Sequence, residues 1–193
     1  AKINEDDVKE ICNYLYEEIP NLEPRFELGE VLISLNEISP RIDTLLFAER
    51  KMYNSLIENN IKIIGDDIFQ YNWQSQYLYS LYKKHDKVFL DHAKILFKRM
   101  NYIISDYNDE TETNYLAVAM EGMSSLLPFI TDQETKTRLQ NDMFYLFYLL
   151  QKRYKNGLYF FKNGNARIDI TSHVINSYNN MIGELSEKNY IGV

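Results

Sequence analysis

Apolar residues recur along this chain at intervals of three and four, the spacing of helices with one buried face. Val8, Ile11, Cys12 and Leu15 share a face of a first helix running to about Glu18. Asp6 or Asp7 is placed to cap it, and Pro20 and Pro24 break it, so residues 1–24 read as an N-terminal helix and a proline-containing linker. Residues 26–38 leave two alternatives. The alternation in Phe26-Leu28 and Val31-Ile33-Leu35 suits a short strand, whereas Glu30 to Leu35 also fits a helical turn. Ser39-Pro40 then reads as a cap followed by proline at a helix start, leading to a helix that ends near Glu58 with Ile42, Leu45, Leu46, Met52, Tyr53 and Leu56 inward.

The second half has a clearer rhythm. Tyr71 to Lys84 places Tyr77, Leu78, Leu81 and Tyr82 at helical spacing, His85-Asp86 makes a tight turn, and Asp86 to Ile104 follows with Phe89, Leu90, Ala93, Leu96, Phe97 and Met100. After the loop at Ser105–Glu110, Asn114 to Ile130 carries Ala117, Ala119 and Gly122, small enough for a neighbour to approach closely. Thr131-Asp132 caps a helix from Gln133 to Tyr154 whose dense apolar content predicts burial on more than one side. Asn156-Gly157 ends it, Leu158 to Phe161 has strand character, and Asn163-Gly164 predicts a small hairpin turn. Asp169 or Thr171 caps the last long helix, which reaches about Leu185.

The expected fold is therefore all-α: about seven helices in stacked antiparallel hairpins, with one small β-hairpin, in a single domain over residues 1–193. In such a stack every second helix points the same way. The helices opening near residues 72, 113 and 170 then start at one end, and the polar loops before them gather there.

The segment from Gln76-Tyr77-Leu78-Tyr79-Ser80-Leu81-Tyr82 through His85-Asp86 to Phe89-Leu90-Asp91-His92-Ala93 resembles the hairpin repeat of the α/α-toroid superfamily, the six-hairpin glycosidase-like proteins. Tyr115 to Leu150 is similar in outline, with Thr131-Asp132 at the turn. Gly157-Leu158-Tyr159 through Arg167-Ile168-Asp169-Ile170-Thr171-Ser172-His173 resembles the loop and inner-helix start of the same group. The resemblance implies a partial toroid, either a half-ring or a piece of a longer chain, and a carbohydrate-binding or glycoside-hydrolase-like activity. No catalytic motif of the group is carried over with it.

The helix starts hold the chemistry such an activity would need. Asp66, Asp67, Glu110, Glu112 and Asp169 supply carboxylates, Tyr71, Trp73, Tyr115 and Tyr159 supply ring faces, and Arg167 and His173 add a cation and a titratable group. Glycoside hydrolysis uses two carboxyls, one held protonated, and Asp169 with Glu112 or Asp67 is the expected pair. Asp169 and His173 are four residues apart, so on one helix face the acid could orient the imidazole. Acids before a helix also cap it and complement its dipole, which is the competing reading of each. A different class of function, a helical-repeat module that binds a protein partner or itself, fits the same composition.

Charge and composition narrow the rest. With net charge −7 and no basic stripe, nucleic-acid binding is disfavoured. Sixteen Tyr and ten Phe either fill gaps between helices or line a groove. One cysteine, Cys12, excludes an internal disulfide and a cysteine zinc cage and leaves the compartment open. His85 and His92 make a poor metal site, and Asp106 to Glu110 lacks the glycine and closing acid of a calcium loop. No phosphate or dinucleotide fingerprint points to a cofactor. No apolar run reaches the roughly 20 residues of a membrane span, and the N-terminus is not a signal peptide, although Ala1 allows for a missing leader or upstream region.

Overall fold

The computed structural model describes residues 4–23, 26–58 and 64–189. Eight α-helices account for most of them: α1 (Glu5–Glu18), α2 (Phe26–Ile38), α3 (Ile42–Glu58), α4 (Asp67–His85), α5 (Leu90–Ile104), α6 (Thr113–Ser125), α7 (Gln133–Gln151) and α8 (Ile168–Asn189). A 3₁₀ turn at Leu127–Phe129 follows α6, and strands β1 (Tyr154–Lys155) and β2 (Leu158–Tyr159) pair antiparallel. The all-α architecture with one small hairpin is as the sequence predicts.

Segment 26–38 resolves to a helix. Leu28, Leu32 and Leu35 are each at most 2% exposed, so the spacing of four and three decides over the alternation. Among the described residues no strand lies beside it to satisfy an extended backbone. A second difference lies in the hairpin. Asn156 and Gly157 both take positive φ, 52° and 85°, which makes them the turn between β1 and β2; α7 stops earlier than expected, at Gln151 with Lys152 as its cap, and Tyr154 belongs to β1. Asn163-Gly164 forms a further turn, closed by a bridge between Phe160 and Ala166.

The even-numbered helices form a row, with α2 against α4, α4 against α6 and α6 against α8, while α3, α5 and α7 pack outside it. The contacts climb in step along each neighbouring pair. Asn36 meets Ser80 and Glu37 meets Lys84; Asp66 meets Tyr115 and Asn72 meets Glu121; Glu121 meets His173 and Ser125 meets Asn180. The inner helices are thus parallel, and their N-termini share one end as expected.

Close approach is built into the row by small residues. A Cβ added at Gly122 would lie 3.0 Å from the Asn72 Cα, and one at Gly29 would lie 2.7 Å from the Trp73 Cβ. Helix α6 sits deepest: every residue from Leu116 to Ser125 is buried. Helix α7 does not meet the expectation of many-sided burial. Met143, Leu146, Leu149 and Leu150 face in, but Phe144 is 64% and Tyr148 58% exposed, because an outer helix has neighbours on one side only. The N-terminal helix α1 joins the same body, its Cys12 and Tyr16 clustering with residues of α2, α3 and α4.

Candidate functional site

The floor of the α4–α6–α8 row holds a carboxylate. Glu121, 1% exposed, is the single charge in an otherwise apolar or small stretch of α6. A buried carboxylate is tolerable only when donors replace its water. Four side chains do so here. Asn72 and Gln76 of α4 donate to Oε2 at 3.1 and 2.8 Å, His173 of α8 donates to the same oxygen from Nδ1 at 2.7 Å, and Asn176 donates to Oε1 at 2.8 Å. One turn further along, the Asn180 amide donates to the hydroxyls of Ser124 and Ser125 at 3.2 Å. Gly183 of α8 lies beside the Tyr79 hydroxyl, so a ring from α4 reaches across to α8 above this floor.

His173 is the member of this network that keeps an open ring nitrogen. Its Nδ1 is committed to Glu121, its side chain is 21% exposed, and Nε2 has no hydrogen-bond partner among the described residues. Burial of the ring opposes its protonation. The hydrogen bond and charge of Glu121, with the charge of Asp169, outweigh that and raise the His173 pKa above its ordinary value, with Arg167 opposing weakly. A carboxylate that holds one imidazole nitrogen fixes the tautomer and aims the other nitrogen outward, the arrangement of an acid–base catalyst.

The acids expected from the sequence stand at the N-terminal end of the row, roughly two helical turns from Glu121 along α6. There the loops are tied to one another. Tyr115 donates to Asp66, Lys162 pairs with Glu110 at 2.6 Å, and Thr113 donates to the Phe160 carbonyl at 2.7 Å. Lys162 also draws the Glu110 carboxyl below its ordinary pKa. Asp67 accepts from the Ile64 backbone N–H at 3.0 Å, a local helix-start contact. Glu112 occupies the cap position of α6 without a side-chain cap bond and faces solvent. Asp169 pairs with Arg167 in an exposed salt bridge.

The expected Asp169–His173 hydrogen bond is therefore replaced. The imidazole turns inward to Glu121 because α6 is packed directly behind it, and Asp169 influences it through charge alone. Two of the expected ring faces are also spent elsewhere. Tyr71 and Tyr159 are 3% and 5% exposed core residues, Tyr71 under the Arg99 guanidinium and Tyr159 against Tyr154. Trp73 is half-buried at the α2–α4 seam, and Tyr115 packs edge-on to Phe69. Sequence reasoning missed Glu121, Asn72, Gln76 and Asn176. The one local signal was a lone Glu between Met120 and Gly122.

Among the described residues no group of three or more His, Cys, Asp or Glu has metal-binding geometry, and no helix is long and apolar enough to cross a membrane. Compared with protein-family models, characterised proteins and solved structures, the chain returns no match, so its reading rests on its own geometry.

Proposed function

We propose that the chain binds carbohydrate over the α4–α6–α8 floor and that His173 transfers a proton to or from the bound sugar. What supports this is one observation: a carboxylate buried to 1% exposure holds an imidazole at 2.7 Å and leaves its Nε2 unpartnered among the described residues. The amides of Gln76, Asn176 and Asn180, which are not buried, suit a polyhydroxylated ligand, since each is both donor and acceptor, and Tyr79 adds a ring. The raised pKa keeps the imidazole protonated at higher pH than usual, which favours the general-acid role towards a leaving oxygen. Hydrolysis needs a second group, and Asp169, whose charge acts on His173 although it is paired with Arg167, is the candidate carboxylate for it.

A glycan array followed by calorimetry tests the reading. Saturable binding of a glycan, with turnover lost and binding kept in His173→Gln, is the expected result. A wild-type chain that binds no glycan overturns it.

A second reading has its own observation. Ile168, Ile175 and Ile182 are 79%, 52% and 60% exposed and recur every seven residues on α8, the last helix of the row. Between them stand exposed Ser172 and Asn179, uncharged, so two copies of a chain with net charge −7 could meet there without like charges opposed. On this reading the chain is an interaction module that pairs with a second copy. Sedimentation would show a dimer that Ile175→Asp dissolves; a monomer at all concentrations removes the reading.

A further inference from the structure

The outer side of the row holds a cavity that the chain's own side chains do not fill. It measures about 250 Å³ and lies between the first half of α7 and the later part of α8. Lys136, Met143 and Phe144 reach it from α7, and Met181 and Glu184 from α8. The two helices run antiparallel and meet at Phe147 and Tyr178, whose rings pack edge to face with 5.8 Å between centroids. From that contact the lining runs towards Lys136 on one helix and Glu184 on the other.

Size, wall chemistry and charge together select an occupant. Close-packed proteins leave few voids larger than a water molecule, and an apolar space is a poor place for water. An apolar cavity of about 150 Å³ takes benzene, so this one has room for about ten non-hydrogen atoms. Its wall favours a ring over a chain. The thioethers of Met143 and Met181 come from opposite helices, and Phe144, 64% exposed at the rim, adds an aromatic face. One cation, Lys136, and one carboxylate, Glu184, line the same space, so neither sign of ligand charge is favoured. Glu184 is 6% exposed, and a carboxylate accepts at several positions, so it can take one further N–H beside the bonds it already has.

We propose that this cavity binds a neutral fused-ring aromatic molecule with a single N–H donor, of the size of indole. The ring system lies between Met143 and Met181, Phe144 packs against its outer edge, and the N–H donates to Glu184. The site uses none of the residues around Glu121 and does not rest on the carbohydrate reading.

NMR of the full chain, isotope-labelled at its methionine methyls, tests this with indole as the probe near neutral pH. Ring currents should move the Met143 and Met181 signals saturably and leave Met52, buried among α1–α4, in place. 1-Methylindole, which lacks the donor, should bind about tenfold more weakly. Tryptamine and indole-3-acetate, which each bring a charge, should also bind more weakly than indole. Phe144→Ala, at an exposed position that should not disturb folding, should weaken indole about threefold to tenfold, the scale of one ring pair. No saturable shift with indole, an equal shift of all six methionine methyls, equal binding of 1-methylindole, tighter binding of either ion, or unchanged binding in Phe144→Ala would each overturn it.

Discussion

Two glutamate–histidine pairs sit at nearly the same separation, 2.7 Å for Glu121–His173 and 2.8 Å for Glu49–His92, in opposite hydrogen-bonding surroundings. Glu121 accepts from four side chains drawn from two helices, so its charge is spread over a complete shell and its histidine keeps one nitrogen open. Glu49 accepts from one ring, and the neighbouring Gln74 amide carries an unpartnered donor. The difference teaches that burial alone says little about the role of a carboxylate. A saturated one fixes its partner's orientation, and one bonded to a single ring keeps an oxygen open.

The sharpest way to break this comparison is to remove the saturated carboxylate. Glu121→Ala leaves Asn72, Gln76, His173 and Asn176 facing a hole and should cost about 3–5 kcal/mol, the scale for stranding one side of a buried charged network. Urea denaturation would read it as a fall in midpoint at constant slope. A loss below about 1 kcal/mol would mean that water replaces the carboxylate and that the shell is not the organising feature.

Gly122→Ala probes whether the shell depends on helix spacing. The new methyl would come within 3.0 Å of the Asn72 Cα and 2.6 Å of the Met100 methyl carbon. The thioether end can move but the α4 backbone cannot do so cheaply, so the expected cost is about 1–3 kcal/mol. The same variant should weaken any ligand bound over Glu121 and leave the Glu49–His92 pair untouched.

The pH dependence separates the two pairs without disturbing packing. The folded-state pKa of His173 lies above its unfolded value near 6.5, so its protonated form stabilises the fold. That contribution is complete below the unfolded pKa and is lost as pH rises through the higher folded value. Thermal midpoints of wild type and His173→Gln, measured across the acid and alkaline sides of the transition, should therefore differ most at the acid end and converge as pH rises past the folded value. A constant difference would show that Glu121 does not hold the proton on this ring.

The smallest expected effect is at Asp169. Its pair with Arg167 is exposed on both sides, so Asp169→Asn should change stability by less than about 1 kcal/mol. Because its charge helps keep His173 protonated, the same substitution should lower the His173 pKa and impair turnover of a bound glycan. Loss of folding with no change at His173 would make Asp169 a structural cap instead.

Much of this molecule was written in local patterns. The intervals of three and four produced the helices, and the expected parallel set is the row that the contacts define. Where two patterns competed, at residues 26–38, only burial of Leu28, Leu32 and Leu35 against α4 chose between them. The acids before each helix were easy to notice because they sit in polar loops, and the same exposure leaves them with local partners such as Ile64 and Arg167.

What the sequence determined alone was the set of helical faces and the common polarity of alternate helices, since both follow from short-range sterics and apolar spacing. What only the tertiary structure decided was which polar groups meet. Glu121 takes its partners from positions 45 to 55 residues away in sequence, and no local rule specifies a register between helices that far apart. That register comes from close packing at Gly29 and Gly122, where the absence of a side chain lets the backbones approach until the buried amides reach the carboxylate.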